Sequence, residues 1–374
     1  MPRTEPAGAR EAWRADRGLL DRRRYELAHA VADRYPGVAR VPGSVALTRA
    51  EWLPGAPVAL DDVRLAWCDE PAPAAVTGTG PASVAVRAAA PDGAPYRTYA
   101  GALAALAPPR LLEDRFTYRL LAAPDAARLT YGPGTYLDGL NVGEAVAHET
   151  AAAARAGHDP VTTALPLRAA VGDPTDPHRR PMTTALTVLT LRHDRATGAM
   201  SFPLHHRDAA AVAHGGGLVQ VAPVGVFQPT VEAAEDAAAR RAGLDLWRCT
   251  VREYAEELLG APEEYPEPFD YDHWPPYRAL TGARADGRLR PYLLGIAVDP
   301  LTLATDLLAV TVIDAAAHDR VFADTVRANP EGTLTGHVPF TPASVRDLLA
   351  TARLQPAAAA VLTLAGRHRR RLAR

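Results

Sequence analysis

The chain of 374 residues is longer than one average domain, and its 48% hydrophobic residues can fill a sizeable core, so we expect two domains. Its 41 basic and 43 acidic residues give a formal net charge of -2, which excludes a global attraction to nucleic acid or to an anionic membrane. The two cysteines, Cys68 and Cys249, are too few for a disulfide framework or a cysteine-based zinc site and fit a reduced, cytoplasmic protein.

The first part of the chain, residues 1–157, is predicted to be an N-terminal α+β region of unknown role. Apolar positions at helical spacing, including Trp13, Leu20 and Leu27, predict an amphipathic helix over residues 10–34. Residues 41–135 alternate short apolar runs with Pro/Gly clusters and permit no prediction of topology. A second helix is expected to begin near Asn141 and to end at Gly157, a residue suited to a C-terminal cap. Polar residues around its start predict an interdomain contact or a pocket wall, with a solvated helix start as the alternative: Tyr136, Asp138, Asn141, Glu144 and His148.

The stretch from 158 to 181 contains five prolines, which disfavour continuous helix or strand and predict a domain boundary. A second domain is therefore placed at residues 158–374. It begins with two strand-like runs joined by a turn over residues 194–198. The longest apolar run, from Tyr292, is interrupted by Asp299 and Pro300, so it predicts two buried strands around a turn, and no membrane partner is expected. Alternating strands and helices give an α/β (α+β) fold class with a mixed sheet.

The segment 248–260, "RCTVREYAEELLG", raises the possibility of a metal site. It is predicted to be a helix with Asp245 as N-cap and Gly260 as its stop. Its apolar stripe is expected to pack on the sheet and consists of Trp247, Val251, Tyr254 and Leu258. The spacing of Glu253, Glu256 and Glu257 places three carboxylates on one side of adjacent turns, where they repel one another. A divalent cation would relieve that repulsion. Spacing alone favours the alternative, a surface helix whose carboxylates are neutralised by nearby arginines, Arg248 and Arg252.

The sequence around this helix resembles a known family. "REYAEELLG" resembles the core of the Nudix box, whose pattern is Arg-Glu-hydrophobic-any-Glu-Glu-any-Gly-hydrophobic. Upstream, "GGGLVQVAPVGVFQP" is similar to the strand and glycine loop that precede that helix, and "EGTLTGHVPFTPASVRDLLA" downstream is similar to the last strand and closing helix. The resemblance covers roughly the second half of the chain. The chain departs from the full box at Leu244, which stands at the glutamate position, and at Ala238, which stands at the first glycine position. The segment between Gly225 and Arg252 is longer than in the family.

The resemblance implies a Nudix-like mixed sheet flanked by helices and a Mg²⁺ or Mn²⁺ cofactor. It implies Glu256 and Glu257 as the main metal ligands, with Glu253 as a further ligand or as the base that activates water. Arg252 would orient a glutamate. The carbonyl near Gly225 would be the loop ligand, and Glu331, ahead of the last strand, is the candidate for one more carboxylate.

Candidate substrate-binding residues lie on either side of the glycine loop. His206 and Arg207 follow a strand and could reach a phosphate, although histidines at strand ends more often make ordinary surface contacts. Phe227, within "GVFQP", is the third candidate. The long segment between Gly225 and Arg252 contains an alanine-rich run, which predicts a short helix lying over the carboxylate helix.

The expected function is a Nudix-like, divalent-metal-dependent hydrolase of a nucleoside-diphosphate-linked substrate that uses metal-activated water. The alternative is a non-catalytic Nudix-fold protein for ligand sensing, regulation or interaction, similar to Nudix-like modules attached to bacterial helix-turn-helix regulators. Either function implies a nucleotide-like small molecule as ligand. A homodimer or a protein partner stays open, and nucleic acid is not an expected partner.

Overall fold

The computed structural model describes residues 6–207, 217–230, 236–263, 265, 269–329 and 332–374. Within these ranges the protein is a mixed α/β structure, so the fold class predicted from the sequence is confirmed. None of the described helices combines the length and the apolar character that a bilayer crossing requires.

The strands of the described residues are β1 (Ala39–Arg40), β2 (Leu47–Thr48), β3 (Val58–Ala59), β4 (Arg64–Trp67), β5 (Phe116–Asp125), β6 (Arg128–Thr135), β7 (Thr184–Asp194), β8 (Ala199–Phe202), β9 (Leu204–Arg207), β10 (Val219–Val221), β11 (Val224–Val226), β12 (Leu289–Val298), β13 (Thr305–Asp314), β14 (Ala328–Asn329), β15 (Gly332–Leu334) and β16 (Val338–Pro339). The helices are α1 (Pro6–Ala32), α2 (Tyr99–Leu106), α3 (Tyr136–Arg155), α4 (Pro166–Val171), α5 (Ala237–Ala242), α6 (Leu246–Glu253), α7 (Pro275–Ala285), α8 (Ala315–Val321), α9 (Pro342–Thr351), α10 (Pro356–Arg367) and α11 (Arg369–Leu372).

The largest sheet has nine strands in the described part of the chain. Its main order is β1-β2-β12-β13-β7-β8-β16, with β3 also paired to β12 and β11 to β7. The central pair, β13 and β7, is parallel, and the other pairs are antiparallel. The predicted pair of buried strands is therefore confirmed as the antiparallel hairpin of β12 and β13. Two smaller sheets have the orders β10-β9-β15-β14 and β4-β6-β5.

Both faces of the large sheet are covered. Leu307 and Leu308 are neighbours in β13, yet they belong to different hydrophobic clusters because successive side chains of a strand point to opposite faces. Val251 of α6 belongs to the first cluster and Val361 of α10 to the second. The two helices therefore pack on opposite faces, which explains why the central strands are nearly continuous apolar runs.

The two parts of the chain predicted as separate domains share this sheet and its core. Strands β1, β2 and β3, all from the first part, extend the sheet beyond β12. One hydrophobic cluster contains Trp13 and Leu103 from the first part together with Leu186 from the second. The division at residue 158 stays a prediction, and separating the two parts would expose this shared surface.

The two predicted N-terminal helices are present as α1 and α3, but α3 begins five residues before Asn141. Thr135 caps it: its hydroxyl accepts a hydrogen bond from the Asp138 backbone, while the Asp138 carboxylate accepts one from the Thr135 backbone. This reciprocal capping box satisfies backbone N–H groups at the helix start, so helical structure extends through Gly139 despite the low helix propensity of glycine. Gly157 follows the helix with a φ of 80°, a conformation that favours glycine.

Candidate functional site

The helix of the Nudix-like segment begins as predicted. The Asp245 carboxylate accepts hydrogen bonds from the backbone N–H groups of Trp247 and Arg248 and so caps α6. Its apolar face is buried, as predicted, and Tyr254 reaches the sheet, where its hydroxyl lies 3.0 Å from the Thr190 hydroxyl of β7. At the other end Gly260 has a φ of 70°, which suits a glycine stop.

The second half of this helix is wider than an α-helix. Residues Tyr254–Leu258 form a π-helical turn, so Glu256 and Glu257 lie in different helical geometry from Glu253. In a π-helix the hydrogen bonds run from residue i to i+5, and the angle between successive side chains is smaller than in an α-helix. The three carboxylates therefore do not follow the spacing of one regular α-helix.

Glu253 packs against the backbone of β11. A methyl group added to Gly225 would lie 1.8 Å from the Glu253 carboxyl carbon, so only glycine leaves room for this side chain. Glu253 is 7% exposed. The structure thus brings together two residues that the family resemblance implies as neighbours, although Gly225 lies in a strand paired with β7 rather than in a loop.

Arg252 is buried beside Glu253 and holds the surrounding loops together. Its guanidinium donates hydrogen bonds to the Gln228 carbonyl and to the Tyr271 hydroxyl. Arginine keeps its charge when buried, so this side chain is a cation next to the carboxylates. In these contacts Arg252 fastens the segments before and after α6 to the helix.

Glu256 is engaged by a different partner. The Tyr265 hydroxyl donates a hydrogen bond to Glu256 Oε1. Burial raises the pKa of Glu256 to about 7, against the lowering effect of the Tyr265 hydrogen bond. This carboxyl is therefore partly protonated near neutral pH, which reduces its charge and its strength as a metal ligand.

Glu257 faces the four-stranded sheet that contains β9, whereas Glu256 faces Tyr265. It is 4% exposed, and its Oε2 lies 3.7 Å from Nδ1 of His205 in β9, which is fully buried. Burial, and then the charge of Arg207, lower the pKa of His205 to about 4. Because His205 is neutral at pH 7, its contact with Glu257 is a polar contact between buried groups and not a full ion pair.

The fit of this helix to a divalent cation can be judged from the donor positions. Within the described ranges, no three His, Cys, Asp or Glu side chains converge on a point where they could hold a metal ion. Glu253 faces Gly225, Glu256 faces Tyr265, and Glu257 faces His205. Glu331, the further predicted carboxylate, lies outside the described residues. As placed, the described carboxylates do not form the ligand set that the resemblance implies.

The predicted substrate-binding residues are not brought together. His206 is exposed and Arg207 half-buried on β9. Phe227 is fully buried, and its ring packs 4.7 Å from that of Tyr118 and 5.2 Å from that of Tyr131, measured between centroids. In this arrangement Phe227 is part of the core and presents no surface to a ligand.

The segment between Gly225 and Arg252 contains the predicted short helix, α5. Its described contacts are with the first part of the chain: Tyr118 donates a hydrogen bond to the Arg240 carbonyl, and Arg240 stacks on Phe116. Arg241 pairs with Asp69. Gln228, earlier in the segment, reaches Arg252. The described parts of the segment therefore connect α6 to the smaller sheet of β4, β5 and β6.

A cleft that the sequence did not reveal lies at the start of α6. It has a volume of about 620 Å³. One wall comes from the first part of the chain and includes Leu60, Asp61 and Val63. The opposite wall combines the start of α6, with Trp247, and one side of α7, with Arg284. Trp247 and Arg284 are 37 positions apart in the sequence, so their proximity is visible only in the folded chain.

Two contacts organise the polar end of this cleft. The Trp247 indole N–H donates to the Thr281 hydroxyl at 2.9 Å. The Arg284 guanidinium stacks over the Trp247 ring, with its central carbon 4.8 Å from the ring centroid, and pairs with Asp61. Trp247 was predicted only as part of the apolar face of the helix, and Asp61 and Arg284 had no predicted role.

Comparison with known proteins adds no family to this description: no protein-family model matches the chain, and no curated protein matches it. The Nudix resemblance therefore rests on the quoted residues alone. Of the structural features at these residues, the capped helix start and the close approach of Glu253 to Gly225 match the resemblance.

Proposed function

We propose that this protein is a non-catalytic small-molecule-binding protein in which the Nudix-like helix is a scaffold and the cleft at its start is the ligand site. One observation carries the proposal: the two ends of the helix are used differently. Toward its C-terminal end, the Glu256 carboxylate accepts a hydrogen bond from Tyr265, and the Glu257 carboxylate is buried 3.7 Å from His205. Its N-terminal residue Trp247 borders an open cleft.

The dimensions and lining of the cleft support ligand binding. Its volume of about 620 Å³ falls within the range of about 300–1,000 Å³ that is usual for small-molecule sites. Apolar side chains such as Leu65 and Leu246 lie beside a few polar ones, Thr281 and Arg284. This combination provides apolar surface for affinity and polar groups for orientation.

The position of the cleft supports a sensing role. Its walls come from both parts of the chain, with Leu60–Leu65 on one side and residues of α6 and α7 on the other. A ligand that contacts both walls stabilises their relative position, and a ligand shifts an equilibrium only through such differential contacts. Ligand binding would thereby be communicated to the first part of the chain.

A second candidate function is the divalent-metal-dependent hydrolase implied by the resemblance. The contact between Gly225 and Glu253 favours it, because the family places a backbone carbonyl and helix carboxylates around the metal. It requires Glu256 and Glu257 to leave their present neighbours, since the described carboxylates do not converge.

One experiment separates the two functions. The wild type and the double variant Glu256→Gln/Glu257→Gln are incubated with nucleotide sugars, dinucleotides and nucleoside triphosphates, with and without magnesium, while product release and thermal stability are measured. The scaffold proposal predicts no magnesium-dependent product and no magnesium-dependent stabilisation that the double variant loses. The matched control is Glu11→Gln/Glu51→Gln, which removes two exposed carboxylates. Magnesium-dependent hydrolysis by the wild type and the control, but not by the double variant, would establish the hydrolase and end the scaffold proposal.

A further inference from the structure

The chemistry of the cleft identifies the class of ligand that it would bind. Its main cation is Arg284, in the last turn of α7, whose side chain is 18% exposed. The guanidinium lies over the Trp247 ring, and this stacking holds it in one plane. A planar guanidinium presents its N–H groups along its edges in a fork that matches a carboxylate or a phosphate.

The present partner of Arg284 can be replaced. Asp61 accepts a hydrogen bond from Nη2 only, so the pair uses one of the three nitrogens of the guanidinium. The Asp61 side chain is 80% exposed. An ion pair with one partner so exposed is weak because water screens and solvates the carboxylate. An anionic group of a ligand can therefore bind to Arg284 beside Asp61 or in its place.

The other carboxylate of the cleft is already engaged. Oδ1 of Asp245 accepts the backbone N–H groups of Trp247 and Arg248. Its Oδ2 lies 3.8 Å from Nε of Arg248. Because this charge is compensated at the helix start, Asp245 offers little attraction to a cationic ligand.

The walls next to Arg284 are suited to an apolar or aromatic body. The lining includes the apolar side chains of Val63, Leu65, Leu244 and Leu246, and Tyr277 of α7 adds an aromatic ring. Burying apolar surface against such side chains contributes about 25 cal/mol per Å². The site thus combines apolar side chains with one cation, Arg284.

We propose that the cleft binds a small amphiphilic anion: an aromatic or otherwise apolar body that bears one carboxylate or phosphate group, with the anion on the edge of Arg284 and the body against the apolar side chains of the lining. This inference rests on the proposed ligand-binding function and specifies the class of ligand.

The test uses probes that share one body and differ in their head group. Binding of 2-naphthoate, 2-naphthyl phosphate, 2-naphthalenemethanol and 2-naphthylmethylamine to the full chain is measured by isothermal titration calorimetry. A charge-assisted hydrogen bond supports an advantage of about tenfold, so at least one of the two anions should bind about tenfold more tightly than the alcohol and the amine. The comparison of naphthoate with naphthyl phosphate shows which anion the site prefers.

Three variants locate the effect. Arg284→Met should remove the preference for the anion, whereas Arg278→Met, an exposed arginine on the same helix outside the cleft, should keep it. Asp61→Asn removes the competing carboxylate from an exposed position and should strengthen binding of the anion several-fold. Because Asp61 is mostly exposed, this variant tests the inference even if Arg284→Met does not fold.

The opposite outcomes are equally specific. Equal or tighter binding of the alcohol or the amine, with Arg284→Met and Asp61→Asn without effect, overturns the ligand class while leaving a ligand-binding cleft. The absence of binding by all four probes overturns the inference, and the magnesium experiment on Glu256 and Glu257 then decides the proposed function independently.

Discussion

Two buried clusters of charged residues lie in different parts of this protein and differ in the charge that is in excess: arginines in the first and carboxylates in the second. The first, the α1–α3 cluster, consists of Arg17, Arg24 and Glu144, with two guanidiniums around one buried carboxylate. The more exposed Asp21 also pairs with both arginines, at 3.2 and 3.1 Å. Nη1 and Nη2 of Arg24 donate hydrogen bonds to the two carboxylate oxygens of Glu144, at 2.9 and 2.8 Å. Nη1 of Arg17 donates to Oε2 of the same carboxylate. The second, the carboxylate-helix cluster, consists of Arg252, Glu253, Glu256 and Glu257.

The two clusters compensate the cost of burying charged side chains in different ways. In the α1–α3 cluster opposite charges are in direct contact, which offsets their desolvation and joins two helices. In the carboxylate-helix cluster a single arginine accompanies three carboxylates, and these are distributed among separate neighbours. There the raised pKa of Glu256 lets protonation remove part of the charge. The first cluster is therefore a fixed connection, and the second is sensitive to pH.

The largest expected effect comes from breaking the α1–α3 cluster. Glu144→Gln leaves two buried guanidiniums with only the more exposed Asp21 as a carboxylate partner, and we expect a loss of about 3–5 kcal/mol in the free energy of unfolding. Urea denaturation measures this loss. Glu26→Gln is the control, because Glu26 pairs with Arg353 at the surface at 3.2 Å, and its loss should cost less than about 1 kcal/mol. Similar losses in the two variants would contradict the view that burial makes the Glu144 contacts strong.

The next effect concerns the pH dependence of the carboxylate-helix cluster. Burial raises the pKa of Glu256 from the ordinary value of 4.5 to about 7. The folded protein therefore binds this proton more tightly, and the resulting stability is complete below about pH 4.5 and is lost as the pH rises through about 7. Glu256→Gln stays uncharged, so it should be more stable than the wild type above pH 7, by up to about 3 kcal/mol.

Thermal unfolding of the wild type and Glu256→Gln from pH 4.5 to pH 8 tests this expectation. The two stability curves should separate as the pH rises. Glu51→Gln, at an exposed position, should follow the wild type throughout. If the curve of Glu256→Gln runs parallel to that of the wild type, Glu256 does not titrate in this window and the comparison between the clusters fails.

The smallest effect tests the close approach of Glu253 to the sheet. Gly225→Ala places a methyl group where the Glu253 carboxylate lies, and we expect a loss of about 1–3 kcal/mol from overpacking. Glu253→Ala frees that space, so the double variant should lose less than the sum of the two single variants. Gly282→Ala, where no atom lies within 4 Å of the added methyl group, should instead gain about 0.5–1 kcal/mol as a helix substitution. Strict additivity of the Gly225 and Glu253 changes would contradict the contact.

Much of the fold is local enough to be predicted from the sequence. The β12–β13 hairpin follows from two apolar runs around Asp299 and Pro300. The start of α6 follows from Asp245, because a carboxylate one residue before an apolar-periodic segment satisfies the first backbone N–H groups. The start of α3 was placed too late, although Thr135 and Asp138 carry the capping-box signal in the sequence.

The candidate site was less accessible to prediction. The family resemblance implies Gly225 and Glu253 as members of one site, and the structure places the two residues side by side. The spacing of Glu253, Glu256 and Glu257 was interpreted for a regular α-helix, whereas Tyr254–Leu258 forms a π-helical turn, which is rare. A rule based on residue spacing therefore could not show which neighbour each carboxylate meets.

The sequence by itself determined the properties that depend on neighbouring residues: the periodic apolar positions, the capped helix start at Asp245, and the glycine stops at Gly157 and Gly260. Only the tertiary structure decided that β1, β2 and β3 complete the large sheet, and that Asp61 and Arg284 meet above Trp247. The physical reason is range. Capping and periodicity act within one or two turns of chain, whereas the sheet order and the cleft arise from burial of distant apolar surfaces, which has no direction along the sequence.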